Sequence, residues 1–224
     1  MALRRMIINV EDVLAAITER RTINHVPLKN IAWHYKGKEF PIAEALIEEW
    51  AFTGMNNVDF VDVEIREHLP DEEIPFGIGY LRRISCGIVC TRIGACDIIE
   101  VLMQFKCKYQ QWEFPGGKLD GVETARDCAQ RELLEETGLE TEQLYQEQYL
   151  DHRNEFGCVM FHAPLHLMKQ TTPMLMEPHK HSALDWFPIG QLPTPMTDDS
   201  TASVEEGILE SVRKYYGSVY ATKR

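Results

Sequence analysis

A chain of 224 residues accommodates one large domain or a domain with an appendage, which excludes a multi-domain machine. Hydrophobic residues at 44% and charged residues at 26%, with 14 glycines and 11 prolines spread thinly, exclude collagen, wholesale disorder and low complexity. An acidic excess of 35 to 23 leaves a formal charge of −12, which opposes non-specific binding to phosphate backbones.

The apolar stretches, such as residues 86–90 and 98–103, fall far short of the roughly 18 residues a bilayer span needs. Near the N-terminus Glu11 and Asp12 interrupt the apolar run that an export signal would require. The expectation is a cytoplasmic protein without a membrane partner. Six cysteines show neither a C-x-x-C pair nor zinc-site spacing, so reduced, mostly buried thiols are expected.

In chain order, Val10, Val13, Leu14 and Ile17 recur at helical spacing, and Ile42, Ala45, Leu46, Trp50 and Phe52 do so again before Gly54. Pro27 and the Lys36-Gly37-Lys38 triplet mark turns between them, and Val58, Phe60, Val61 and Val63 predict a short strand. The prolines and acids of residues 69–75 discourage both helix and central strand, so the boundary is placed there: an appended segment 1–75, mainly helical, and a domain 76–224. Residues 83–92 and 98–106 predict strands joined by a turn at Gly94. After the break at residues 114–117, residues 124–137 predict a helix closed by Gly138. Residues 157–162 and 185–188 predict two further strands. Ser203 with Glu206 has the pattern of a capping box, and Val204, Ile208, Leu209, Val212 and Tyr216 line one face of the terminal helix it would start. Strands mixed with helices imply a layered α/β or α+β domain.

Chemistry concentrates on the helix after the glycine turn. Spacings of three and four place Glu132, Glu135 and Glu136 on one face, where like charges repel by a few tenths of a kcal/mol per pair. A hard divalent cation, Mg²⁺ or Mn²⁺, is the natural counter-charge for such oxygens. Arg131 is placed to orient a carboxylate, and Glu123 joins the cluster only if residues 117–122 curl back. Gly116 and Gly117 suit a close approach to main chain that a β-carbon would block.

From Gly117 onward the string reads G, five residues, E, seven residues, R-E, an aliphatic, any residue, E-E, any residue, G, aliphatic, met by Gly117, Glu123, Arg131, Glu132, Leu133, Glu135, Glu136, Gly138 and Leu139. This segment resembles the signature of the Nudix hydrolases. The resemblance implies a Nudix-type α/β/α sandwich with a mixed β-sheet. It also implies attack of water on phosphorus, with divalent metal neutralising charge on the phosphates. It assigns metal binding to Glu132, Glu135, Glu136 and the Gly117 carbonyl, with Glu123 in support, and gives Arg131 the task of holding Glu132. Lys118 and Gly116 would then meet the substrate.

Residues 112–118 (WEFPGGK), the run Met176-Glu177-Pro178-His179-Lys180-His181 and the following Trp186-Phe187 and Leu192-Pro193 are similar to MutT-type nucleoside triphosphate pyrophosphohydrolases. Glu177 is on that basis an extra carboxylate, ligand or base. His179 and His181 are expected to be solvent-exposed or substrate-contacting rather than zinc ligands. Trp112, Phe114, Phe156, Phe161 and Trp186 are expected in the core before any base-stacking wall. The proline that ADP-ribose pyrophosphatases favour after the box is replaced by Arg153, Asn154, Glu155 and Phe156, and the tyrosine of dinucleoside polyphosphate hydrolases is missing. A small nucleoside triphosphate is therefore the expected partner, with no nucleic acid other than a capped RNA end, and a homodimer is compatible with it. Rival expectations are a larger diphosphate such as ADP-ribose, a dinucleotide or capped RNA, and a nucleotide-sensing module; the intact carboxylate set disfavours the sensor. A helix-turn-helix is disfavoured by Glu44, Glu48 and Glu49, which would repel phosphates.

Overall fold

The computed structural model describes residues 3–9, 22–23, 26–27, 31–35, 38–40, 45, 60–66, 77–119, 123–152 and 156–221. The predicted helices around residues 10–17 and 42–52 and the boundary at 69–75 lie outside these, apart from Ala45, which is helical. Contacts divide the chain into two compact units, Met1–Ile84 with Asp151–Gly157, and Ser85–Leu150 with Cys158–Arg224.

The described residues of the first unit, Ala45 apart, are mostly strands: β1 (Leu3–Asn9), β2 (Thr22–Ile23), β3 (Val26–Pro27), β4 (Ile31–Tyr35), β5 (Lys38–Phe40), β6 (Phe60–Arg66) and the start of β7 (Gly77–Ile93). β6 alternates Val61, Val63 and Ile65 with Asp62, Glu64 and Arg66, the period of a strand. It pairs antiparallel with β1 on one side and with β7 on the other. β4 pairs antiparallel with β5 and parallel with β7, which makes the sheet mixed, and it buries Ile31 and Trp33. Sequence reasoning anticipates β6 but not β1 or β4.

The second unit is an α/β layer structure. Its sheet contains β7 from Ser85 onward, β8 (Ile99–Lys106), β9 (Gln111–Glu113), β10 (Gly116–Lys118), β11 (Tyr145–His152) as far as Leu150, β12 (Phe156–Pro164) from Cys158 and β13 (His181–Pro188). β8 pairs antiparallel with β7, β9 and β13, β10 pairs antiparallel with β7, and β12 lies between β7 and β11. Alternation assigns the two faces. Val89, Val101, Met103, Cys158 and Met160 point to a core completed by Ile208, Leu209, Val212 and Tyr216. Residues of the opposite parity, among them Ile88, Leu102, Gln104 and Phe161, point away from that core and are also buried.

The described residues of this unit form three α-helices, α1 (Ala125–Thr137), α2 (Asp198–Glu205) and α3 (Ile208–Ala221). Thr124 caps α1 through a reciprocal box with Asp127, and Gly138 ends it at φ 68, a left-handed conformation that glycine adopts at low cost. The C-terminal helix departs from expectation. Ser203 does not cap it: the residue is buried inside α2, where its hydroxyl donates to the Asp199 carbonyl, and Glu206 closes that helix. The break falls at Gly207, φ 92, so one predicted cap is a helix interior and the turn is set by glycine. Cys86, Cys90, Cys128 and Cys158 are buried, Cys107 is half-buried and Cys96 exposed, all as free thiols. No described helix is long and apolar enough to cross a membrane.

Candidate active site

α1 buries Cys128, Ala129, Leu133, Glu136 and Thr137, and that stripe fixes which carboxylates face where. Glu136 enters the interior, 3% exposed, whereas Glu132 is half-buried and Glu135 exposed. Arg131 lies among them. It donates from Nη1 to Glu132 Oε1 at 2.7 Å and Glu135 Oε2 at 3.0 Å, and from Nη2 to Glu123 Oε1 at 2.7 Å and the Lys118 carbonyl at 3.1 Å. Glu123 therefore reaches the cluster as the partner of Arg131. Its hydrogen bonds to Arg131, first among the causes, raise that guanidinium's pKa further above its ordinary value.

β10 runs beside β7 with Gly116 opposite Gly87 and Gly117 opposite Cys86. A β-carbon on Gly116 would lie 2.2 Å from the Cys86 carbonyl oxygen, and one on Gly117 would lie 2.2 Å from the Glu132 carboxylate. The two glycines thus serve different contacts: the first lets the strands close, the second admits Glu132. Lys118 is exposed.

The loop before β13 meets the C-terminal end of α1. Met174 N–H donates to the Thr137 carbonyl at 2.9 Å and Met176 N–H to the Glu136 carbonyl at 3.1 Å, filling acceptors that a helix leaves open at this end. Glu177 is held next to that end. Its Oε1 pairs with Lys180 Nζ at 2.8 Å, and its Oε2 is buried with no partner among the described residues. The bond to Glu177, foremost among the causes, raises the Lys180 pKa, and the charges of Glu132 and Glu136 act in the same direction. Burial raises the pKa of Glu132, opposed by Arg131. Burial also pushes Glu136 up to about 8, against the pull of Gly116 N–H and Gln104.

Three further residues surround Glu136, two of which, Gln104 and Glu113, were given no role from the sequence. Gln104 Nε2 on β8 donates to Glu136 Oε2 at 2.7 Å, the atom that also accepts from Gly116 N–H at 2.8 Å. Glu113 on β9 accepts from Lys106 Nζ at 2.8 and 3.0 Å. His181 is not solvent-exposed: it is 1% exposed, with Nε2 at 3.0 Å from Glu113 Oε1 and 3.7 Å from Glu136 Oε1, because it opens β13 beside Lys106 and faces inward. His179 is exposed. The one available signal was Gln104, a lone polar side chain inside the apolar run of residues 101–105. Of the candidate aromatics, Phe114 and Phe161 are buried, Trp112 packs edge-on between Phe105 and Phe187, Trp186 carries Arg92 at 4.4 Å, and the side chain of Phe156 lies outside the described set.

The NUDIX domain family model matches residues 83–206, more than half of the chain. The chain belongs to the Nudix family. Among curated proteins the chain is similar to the m7GpppN-mRNA hydrolase dcap-2 of Caenorhabditis elegans, 29% identical over 115 residues. That match covers 49% of this chain and only 14% of the relative's length. Among solved structures it is similar to a MutT NUDIX hydrolase of Burkholderia pseudomallei, 27% identical over 56% of this chain and 98% of that one, with a TM-score of 0.49. An Ap4A hydrolase of Caenorhabditis elegans is 21% identical over 62% and 98% of the two chains, with a TM-score of 0.44.

Proposed function

We propose that this Nudix hydrolase cleaves a nucleoside triphosphate, with a standard or an oxidised base, to the monophosphate and pyrophosphate. The observation that carries the proposal is the oxygen-rich face of α1, with Glu132, Glu135 and Glu136 on the helix and Glu177 presenting, from the loop at its end, a buried oxygen that has no partner among the described residues. Oxygen donors of this kind fit a hard divalent cation, Mg²⁺ or Mn²⁺, and the residues that would hold it are Glu132, Glu135, Glu136 and the Gly117 carbonyl. Glu123, committed to Arg131, would support them at one remove.

A bound divalent cation supplies charge against the phosphate oxygens and acidifies water. The protein supplies position. Arg131 restrains Glu132 and Glu135, Gly116 lets β10 close on β7, Gly117 admits the Glu132 carboxylate beside main chain, and Lys118 offers the phosphates a mobile ammonium. Glu177 takes the proton of the attacking water as its oxygen bonds to phosphorus and the bridging phosphoanhydride oxygen leaves with pyrophosphate. The triphosphate is supported by the MutT-like run from Glu177 to Pro193 and by the missing markers of other substrate classes.

A second reading, hydrolysis of a larger diphosphate such as a capped RNA end, draws on the 115-residue likeness to an m7GpppN-mRNA hydrolase. A release assay with Mg²⁺ or Mn²⁺ separates the two. Turnover of standard or oxidised nucleoside triphosphates in preference to ADP-ribose, dinucleoside polyphosphates and capped RNA is expected; turnover confined to the latter group would replace the first reading with the second.

A further inference from the structure

We infer that Gln104 and His181, the latter oriented by the Lys106–Glu113 pair, are positioning residues that fix the carboxylate of Glu136 for cation binding. The inference rests on Glu136 being a ligand, as proposed above. Gln104 is 0% exposed on a strand whose neighbours Leu102 and Met103 are equally buried. A neutral amide in such a place costs a few kcal/mol unless its hydrogen bonds are made, and here they are made only in part. Nε2 donates to Glu136 Oε2 at 2.7 Å, while Oε1 has no partner among the described residues. An aliphatic side chain would serve the core better, so stability does not account for an amide at this position.

His181 repeats the pattern. Lys106 donates to both oxygens of Glu113, so that carboxylate acts as an acceptor. The nitrogen facing it, Nε2 at 3.0 Å, must therefore carry the proton. The same Nε2 stands 3.7 Å from Glu136 Oε1, while Nδ1 is buried without a partner among the described residues. Glu113, Glu136 and His181 each bring an atom within 4.8 Å of the others, a spacing compatible with a metal. The two bonds from Lys106 instead assign Glu113 to the support of His181. Glu136 is thus bracketed from three strands. Gly116 on β10 and Gln104 on β8 occupy Oε2, His181 on β13 flanks Oε1, and the rotamer is set before any cation arrives. Groups that orient a metal-binding side chain in this way typically govern affinity by about 10-fold to 100-fold.

The test is Mn²⁺ binding to the full chain without nucleotide, read from the electron paramagnetic resonance signal of the free ion. Gln104→Leu and His181→Leu are each expected to weaken binding by about 10-fold or more. Gln104→Asn and His181→Gln, which keep an N–H donor, are expected to recover part of the loss, and they serve as the measurement if a leucine variant fails to fold. Wild-type affinity in all four folded variants, with Glu136→Gln weakened, would overturn this inference alone. Wild-type affinity in Glu136→Gln as well would overturn the ligand assignment on which it rests.

Discussion

Glu136 is buried and accepts two donors on one oxygen, and as a cation ligand it would supply a negative charge that an amide of the same shape cannot. Glu136→Gln keeps shape and hydrogen bonding but removes that charge, and kcat with Mg²⁺ is expected to fall by at least about two to three orders of magnitude in steady-state kinetics. Gly117→Ala tests the other side of the cluster. Its β-carbon would lie 2.2 Å from the Glu132 carboxylate, so Glu132 must move; a fall of at least about 10-fold in kcat is expected, and a wild-type rate would contradict the close approach. At this scale the sequence was informative where spacing carries the chemistry: Glu132, Glu135, Glu136 and Arg131 were legible because a helical period places them together. The roles of Gln104, Glu113 and His181 beside Glu136 were not, since they come from three strands and only pairing in the sheet brings them to it.

At the scale of elements, α1 is delimited by two local devices, the Thr124–Asp127 box and Gly138 in the left-handed region. Thr124→Ala is expected to cost about 1 kcal/mol and Gly138→Ala a similar amount, measured as shifts in the urea midpoint. Both ends were legible because caps are short-range. The terminal helices show the opposite case: Ser203 and Glu206 have capping-box spacing, yet Ser203 is buried and bonded back to Asp199, and Gly207 makes the break. The spacing of Ile208, Leu209, Val212 and Tyr216 still identified the buried face, because that face is set by periodicity and not by where the helix starts. β1 and β4 escaped notice because their pairing with β6 and β7 is non-local.

At the scale of the whole molecule, stability should report on His162, where β12 meets α3. Thr91 Oγ1 lies 2.8 Å from both His162 Nε2 and Tyr216 OH, linking two strands and the helix in one buried chain. Burial, followed by the charge of His166, lowers the His162 pKa to about 4. In the unfolded chain the imidazole takes up its proton near pH 6.5, in the folded chain only near 4, so between these values the unfolded state binds the extra proton. The contribution is complete above about pH 6.5 and is lost as the pH falls toward 4, at about 1.4 kcal/mol per unit. Unfolding by urea across this window should show wild type losing stability more steeply than His162→Gln; equal slopes would contradict a neutral buried imidazole.

The most direct measurement for the molecule as a whole is product analysis of nucleoside triphosphate hydrolysis with Mg²⁺, wild type beside Glu136→Gln. Monophosphate and pyrophosphate in equal amounts from the wild type, and almost none from the variant, is the expected result. Orthophosphate with diphosphate, no turnover of any triphosphate, or equal turnover by the two proteins would contradict it.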